Sequence, residues 1–176
     1  MDDRPLLVTE RLDLWKPRAG DLADLHAMMD DAETVRFVGN QIPDEADDFA
    51  RLVRNAGSWA LYGYGTFMVR PRGEQQLIGV CGVFHSHRGF GAQHGFDDAP
   101  EAGWIIHRDH WGQGFAGEAM RAAIGWFDRE HGPQRIGCMI EVGNVPSARL
   151  AASLGFTECG RRIEDDGAEL VLYRRG

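Results

Sequence analysis

The segment from Trp111 to Gly117, Trp-Gly-Gln-Gly-Phe-Ala-Gly, places three glycines between two predicted elements of regular structure. Residues 101–106 before it have the character of a strand, and residues 114–131 repeat apolar side chains at helical spacing. Glycines at such a junction let the backbone approach a ligand, and the free N–H groups of the first helical turn point at it. The segment predicts a phosphate or pyrophosphate site, although a tight turn alone could also explain the glycines.

Size and charge restrict the class of protein. A chain of 176 residues with 43% hydrophobic content fits one compact domain. The formal net charge of -8 argues against nucleic acid as a partner. No apolar stretch is long enough for a signal peptide or a membrane span, which predicts a cytoplasmic protein without a membrane partner. The three scattered cysteines fit a reducing compartment and are expected to be small buried residues: Cys81, Cys138 and Cys159.

The hydrophobic periodicity predicts seven strands and four helices. The strands are expected at 12–15, 66–70, 77–84, 101–106, 136–142, from 156 onward and at 170–174. The helices are expected at 21–29, 45–59, 114–131 and 146–154, with Phe49, Leu52 and Val53 sharing the apolar face of the second. Residues 85–100 form a glycine-rich loop in this interpretation, of a length that is often functional or mobile. The order of elements predicts a single-domain mixed α/β or α+β layer fold.

Gly112, Gly114 and Gly117 also match the dinucleotide fingerprint, with Glu141 as the acidic residue expected on the following strand. Five residues separate the preceding strand from the first glycine, whereas the fingerprint follows its strand almost directly. Several strands precede the motif, and too little chain follows it to complete a parallel sheet. A nicotinamide-dependent oxidoreductase is therefore the weaker alternative.

Four blocks in order resemble the GNAT N-acetyltransferases, and in particular the branch with the RimJ and RimL ribosomal-protein acetyltransferases. The blocks are Thr9-Glu10-Arg11-Leu12, Glu101-Ala102-Gly103-Trp104-Ile105-Ile106, Trp111 to Ala116 with Glu118-Ala119, and Asn144-x-x-Ser147-x-Arg149 with Gly155-Phe156. The resemblance spans nearly the whole chain. It implies a central mixed, mostly antiparallel sheet of about six or seven strands that splays beside its central strand, flanked by about four helices.

The resemblance also implies acetyl-CoA as the donor cosubstrate and no metal. In the family the pantetheine arm pairs with the central strand, which corresponds to Trp104, Ile105 and Ile106, and hydrogen-bonds a residue corresponding to Asn144. The residues that correspond to the pyrophosphate loop and helix start are Gly112, Gln113, Gly114, Phe115, Ala116 and Gly117.

The family's reaction is direct attack of a neutral amine on the thioester, which needs a base. Glu101 is the candidate base, since partial burial would favour proton uptake, and the alternative is a solvated carboxylate at a strand end. Ser147 is the family-matched donor to the leaving thiolate, and the alternative is a helix N-cap. Two positions depart from the common family pattern: Trp111 replaces a Gln or Arg at the loop start, and Ala151 stands where many members have a tyrosine acid.

The acceptor is expected to be a primary amine, on a small molecule or a protein N-terminus, and the protein a monomer or homodimer. Loops at 37–41 and 85–100 are expected to set acceptor specificity. Five histidines are expected to be solvated or, as a minor alternative, to bind metal: His85, His87, His94, His107 and His110. Of these, His85, His87 and His94 could instead line the acceptor pocket or assist proton removal. A non-catalytic acyl-CoA-binding module on the same fold remains an alternative function.

Overall fold

The computed structural model describes residues 4–39, 42–91 and 95–176. Its strands are β1 (Leu7–Val8), β2 (Leu12–Trp15), β3 (Thr66–Pro71), β4 (Gly79–His87), β5 (Asp97–Ile106), β6 (Ile136–Glu141), β7 (Thr157–Ile163) and β8 (Glu169–Arg175). Its α-helices are α1 (Leu22–Met29), α2 (Ala32–Val35), α3 (Glu45–Tyr62), α4 (Phe115–His131) and α5 (Val145–Ser153). Single 3-10 turns lie at Ala19–Asp21 and Arg108–His110.

The eight strands form one open sheet in the order β1-β2-β3-β4-β5-β6-β8-β7. Among the described strands every neighbouring pair is antiparallel except β5 and β6, which run parallel. The predicted mixed, mostly antiparallel sheet is confirmed, with one strand and one helix more than the sequence pattern indicated. A doubly wound dinucleotide fold needs a largely parallel sheet, so the oxidoreductase interpretation of the glycine motif is wrong.

Helices cover both faces of the sheet because successive strand residues point to opposite sides. On one face α4 packs its apolar stripe of Ala119, Met120, Ala123, Ile124 and Phe127 against the sheet, as predicted. On the other face α1, α2 and α3 cover a second cluster: Leu25, Met28, Met29, Val35, Leu52, Met68, Leu77 and Val80. The side chain of each β5 residue therefore belongs to one of two distinct layers.

Two predicted boundaries differ from the structure. Helix α3 passes through Gly57 without interruption and ends at Gly63, whose φ of 78° is left-handed. A capping box between Asp44 and Asp47 starts this helix, and its buried face outweighs the small cost of an internal glycine. The two ends of the predicted loop at 85–100 are strand, because β4 continues to His87 and β5 begins at Asp97.

Three side chains expected in the core are exposed. Phe49 is 55% and Val53 51% exposed on the outer side of α3, whereas Leu52 between them is buried. The buried face of α3 instead includes polar residues, Asp48, Asn55 and Ser58, which the apolar pattern could not indicate. Cys159 is also exposed, while Cys81 and Cys138 are buried as predicted.

In the described part of the chain, no helix has the length and apolar character needed to cross a bilayer.

Candidate active site

An opening in the sheet separates β5 from β6. The two parallel strands share only one bridge, between Glu101 and Gly137, and diverge beyond it. Phe96 is fully buried against Gly137, where an added methyl group would lie 2.6 Å from its ring. Glycine at 137 therefore lets the aromatic ring fill the point at which the strands part.

The β5 side of this opening has an unpaired backbone edge. Trp104, Ile105 and Ile106 pair with β4 on one side, but none of them pairs with β6 on the other. A free strand edge presents N–H and C=O groups that an extended ligand can bind. Apart from the carbonyl of Ile106, which accepts a bond from the Trp111 indole, the structure thus leaves open the edge that the family resemblance assigns to the pantetheine arm.

The glycine loop closes one end of the opening. The indole Nε1 of Trp111 donates a hydrogen bond of 2.6 Å to the carbonyl oxygen of Ile106, which holds the loop against the end of β5. Gly112 and Gly114 have φ values of 72° and 81°, a left-handed conformation that favours glycine. Tryptophan at 111 therefore fixes the position of the loop through its indole N–H.

The N-terminus of α4 offers free donors at this loop. Gly114 is the N-cap and provides no side-chain cap, so the amides of Phe115, Ala116 and Gly117 have no intrahelical acceptor. Glu118 is the first residue whose amide is satisfied, by the carbonyl of Gly114. These free donors and the exposed glycines fit a pyrophosphate group.

Gly117 has a different role from the other two glycines. It is buried, and a methyl group there would lie 3.1 Å from the Arg121 guanidinium and 3.5 Å from Leu150. Its lack of a side chain serves the packing of α4 against α5, and only its amide can face a ligand.

Arg11 and Glu118 tie the edge of the sheet to this loop, a contact the sequence did not reveal. Glu118 accepts hydrogen bonds from Thr9 Oγ1 at 2.6 Å, Arg11 N at 2.9 Å and Arg11 Nε at 2.7 Å. Arg11 Nη1 also donates to the carbonyl of Gln113 at 2.9 Å, and its guanidinium lies over the Phe115 ring. Burial opposes ionisation of Glu118, but these donors prevail and lower its pKa. The only sequence signal for this contact was that Thr9 and Arg11 belong to the first block of the family resemblance.

Glu101 lies where β5 and β6 part and is only 4% exposed, so the alternative of a solvated carboxylate is wrong. Arg88 donates to both of its oxygens, from Nε to Oε2 at 2.8 Å and from Nη2 to Oε1 at 2.5 Å. Burial disfavours the charge of Arg88, but the bond to Glu101 prevails and raises the pKa of the guanidinium. Sequence reasoning missed Arg88 because it lies in the segment interpreted as a loop.

Ser147 lies across the opening from β5, at the third position of α5. The indole Nε1 of Trp104 lies 3.2 Å from Ser147 Oγ, so the hydroxyl accepts this bond and keeps its own proton to donate. The N-cap is Asn144, whose Oδ1 accepts from the Ser147 amide at 3.2 Å, so the N-cap alternative for Ser147 is wrong. Ala151 is fully buried and offers no acid.

His85 does not share the face of the sheet that holds Glu101. It lies on the face of β4 opposite to Phe84, the residue that pairs with Glu101. Its Nδ1 is 2.8 Å from the Tyr64 hydroxyl and its Nε2 is 3.0 Å from Asp98 Oδ1, so the expectation that it is solvated is wrong. The described residues form no group of three or more potential metal ligands. His94 and the end of the first acceptor loop, Asn40 and Gln41, lie outside the described residues.

Comparisons with known proteins agree with this geometry. Residues 11–157 match the family described as Acetyltransferase (GNAT) domain. The structure is similar to a GnaT-family acetyltransferase from Bordetella pertussis, with 33% identity, a TM-score of 0.87, and coverage of 98% of this chain and 100% of that one. The uncharacterized N-acetyltransferase p20 of Bacillus licheniformis is 27% identical over 155 residues, which are 88% of this chain and 83% of p20.

Proposed function

Because the chain belongs to the GNAT acetyltransferase family, we propose that it transfers the acetyl group of acetyl-CoA to a primary amine with Glu101 as general base. The observation that carries this proposal is the alignment of three features along one opening. Buried Glu101 lies where β5 and β6 part, the free edge of β5 follows, and the free amides of α4 lie at the far end.

Acetyl-CoA fits this opening in one direction. Its pyrophosphate would bind the loop from Gly112 to Gly117, and its pantetheine arm would lie along Trp104, Ile105 and Ile106. The side chain of Asn144 caps α5 through one oxygen, which leaves its amide hydrogens free for the arm. This direction puts the thioester end of the molecule toward Glu101.

Glu101 would remove the proton that makes an acceptor ammonium unreactive. The neutral nitrogen then attacks the thioester carbonyl carbon, the carbon–sulfur bond breaks, and an amide and coenzyme A result. Its 4% exposure supports this role, because it places the carboxylate inside the opening and away from bulk water, where the acceptor nitrogen would meet the thioester.

Ser147 would donate a hydrogen bond to the departing thiolate. The bond that its oxygen accepts from Trp104 orients the hydroxyl hydrogen away from the indole. A serine hydroxyl is a weak acid, so its contribution is a hydrogen bond to the sulfur, and the proton released from nitrogen completes the thiol.

The acceptors of structural neighbours differ. RimL, a ribosomal L7/L12 alpha-N-protein acetyltransferase solved with coenzyme A, has a TM-score of 0.74 and 16% identity. Spermidine N-acetyltransferase from Vibrio cholerae, solved with CoA and spermine, has a TM-score of 0.72 and 19% identity. These likenesses concern the fold alone, so both a protein N-terminus and a small-molecule amine belong in the first screen.

The test is release of coenzyme A thiol from acetyl-CoA in the presence of a panel of amines. With any accepted amine, Glu101→Gln is expected to lower kcat by about 10²- to 10⁴-fold, the usual contribution of a general base. Glu158→Gln, at an exposed ion pair with Arg161, is the matched control and is expected to retain activity. Full turnover by Glu101→Gln across the pH range would refute the base, and acetyl-CoA binding without turnover of any amine would favour a non-catalytic binding module.

A further inference from the structure

The Arg88–Glu101 ion pair has a consequence for the acceptor that goes beyond the proposed reaction. Both carboxylate oxygens of Glu101 accept hydrogen bonds from one guanidinium, in the bidentate geometry that is strongest for this pair. A base needs a free lone pair directed at its substrate. The substrate must therefore approach an ion pair, and Arg88 is part of what it meets.

Arg88 is the more accessible member of the pair. Its side chain is 39% exposed, whereas that of Glu101 is 5% exposed. The guanidinium lies 5.9 Å above the Phe84 ring, and its Nη1 makes no hydrogen bond with any described residue. One nitrogen of Arg88 is thus available to a ligand while the other two hold Glu101.

Further positive charge lies on α3 beside Arg88. Burial, followed by the charges of Arg54 and Arg88, lowers the pKa of Arg51. Asp48 lies 4.0 Å from Arg51 Nε, and neither this nitrogen nor Asp48 Oδ1 has a hydrogen-bond partner among the described residues. The charges of Arg54 and Arg88 thus both act on Arg51, and those of Glu101 and, more weakly, Glu164 act on Arg88.

Proton transfer changes the balance of charge between Arg88 and Glu101. When Glu101 takes a proton from the acceptor ammonium, the amine becomes neutral, the carboxylate becomes a neutral acid, and Arg88 loses its counter-charge. A half-buried cation without a partner is costly. A carboxylate on the acceptor, bound by Arg88, would replace the charge that Glu101 loses.

We propose that the acceptor is an α-amino acid or a similar amine with a carboxylate a few bonds from its nitrogen, and that Arg88 binds this carboxylate. Nη1 belongs to the same guanidinium group as Nη2, which holds Oε1 of Glu101. A ligand that reaches both Nη1 and Glu101 therefore needs its carboxylate only a few bonds from its amine. This inference rests on the proposed acetyl transfer, and it disfavours polyamines and protein N-termini as acceptors.

The test compares matched acceptors at saturating acetyl-CoA, with thiol release as the readout. Phenylalanine, leucine and lysine are each compared with the amine formed by removing the carboxylate: 2-phenylethylamine, 3-methylbutylamine and cadaverine. Phenylalaninamide distinguishes an effect of the carboxylate charge from an effect of amine basicity. It has no carboxylate, and its amine is less basic than that of phenylalanine. Spermidine and a short peptide with a free N-terminus complete the panel.

For at least one pair, kcat/KM for the amino acid is expected to exceed that for both the decarboxylated amine and the amide by tenfold or more. Arg88→Gln is expected to bring this ratio toward one, and Arg88→Lys to retain part of it. Arg161→Gln, which removes an equal charge from an exposed ion pair, is expected to leave the ratio unchanged.

Equal or better turnover of decarboxylated amines, polyamines or the peptide would overturn the inference while the acetyltransferase assignment stands. Two outcomes call for a second measurement: no acceptor is turned over, or Arg88→Gln fails to fold. In either case the binding of acetylated products to the wild-type protein saturated with coenzyme A tests the inference. Tighter binding of N-acetylphenylalanine than of N-(2-phenylethyl)acetamide supports the inference, and equal or no binding of both overturns it. Failure of acetyl-CoA itself to bind would refute the proposed function and the inference together.

Discussion

At the scale of single residues, long-range partners decide what each side chain of the site can do. Glu101, Ser147 and Trp104 were identified from the order of residues in the chain, but the bond from Trp104 to Ser147 and the pairing of Arg88 with Glu101 were not. Sequence spacing cannot reveal a partner on another strand when the register between the strands is unknown. The assignments of Glu101 and Ser147 to catalysis stay predictions, whereas the alternatives of a solvated carboxylate and an N-cap are corrected by burial and by the position of Asn144.

Glu118 offers a prediction at this scale. Glu118→Ala removes an acceptor shared by Thr9 and Arg11, and the loss of charge-assisted hydrogen bonds is expected to lower the free energy of unfolding by about 1–3 kcal/mol. Arg11 also holds the Gln113 carbonyl, so acetyl-CoA binding is expected to weaken. Urea denaturation and calorimetric titration measure the two effects. Glu130→Ala, at an exposed position of the same helix, is the control, and equal behaviour of the two variants would disprove the tether.

At the scale of elements, the well-predicted parts are those with a clear period. Helix α4 has a stripe of five buried apolar side chains at helical spacing, and its bounds and buried face were both anticipated. Strand β1 has two residues and helix α2 has four, too few to show a period, and both were missed. The buried face of helix α3 was predicted wrongly, because tertiary contacts bury polar and charged residues there, Asp48 most completely.

Alanine substitutions at two glycines are expected to change stability in opposite directions and so test the described helix and sheet. A methyl group at Gly57, inside α3, meets no atom within 4 Å, so Gly57→Ala is expected to stabilise the protein by about 0.5–1 kcal/mol. A methyl group at Gly137 would collide with Phe96, so Gly137→Ala is expected to destabilise it by about 1–3 kcal/mol. Urea denaturation measures both changes. Destabilisation by Gly57→Ala would contradict a continuous helix through this position.

At the scale of the whole molecule, the separation of β5 from β6 turns a continuous sheet into a binding site. The second, third and fourth family blocks lie at the edges of this opening, and the first reaches it through the bonds of Arg11 to Gln113 and Glu118, although Leu12 and Glu101 are far apart along the chain. The fold class was predictable because the blocks occur in order. The surroundings of Glu101 were not predictable, because Phe84 and Arg88 become its neighbours only when β4 and β5 pair.

The pH dependence of stability is a property of the whole chain. The hydrogen bond to Asp48 raises the pKa of His26 above its ordinary value of 6.5, despite partial opposition from desolvation. A raised histidine pKa gives a stabilising contribution that is complete below pH 6.5 and is lost as the pH rises through the folded-state value. The midpoint of urea denaturation is therefore expected to fall over that interval. His26→Gln should abolish this part of the decline, and an unchanged decline in the variant would assign it to other groups.

The central claim is that the opening beside Glu101 binds acetyl-CoA, and a thermal-shift titration tests it most directly. Acetyl-CoA, coenzyme A and NADH are titrated in parallel against the wild-type protein. Because a ligand bound by the native state alone stabilises it by about 2.7 kcal/mol at a hundred times its Kd, acetyl-CoA is expected to raise the Tm in a concentration-dependent manner and NADH is not. No shift with acetyl-CoA, or an equal shift with NADH, would contradict the account.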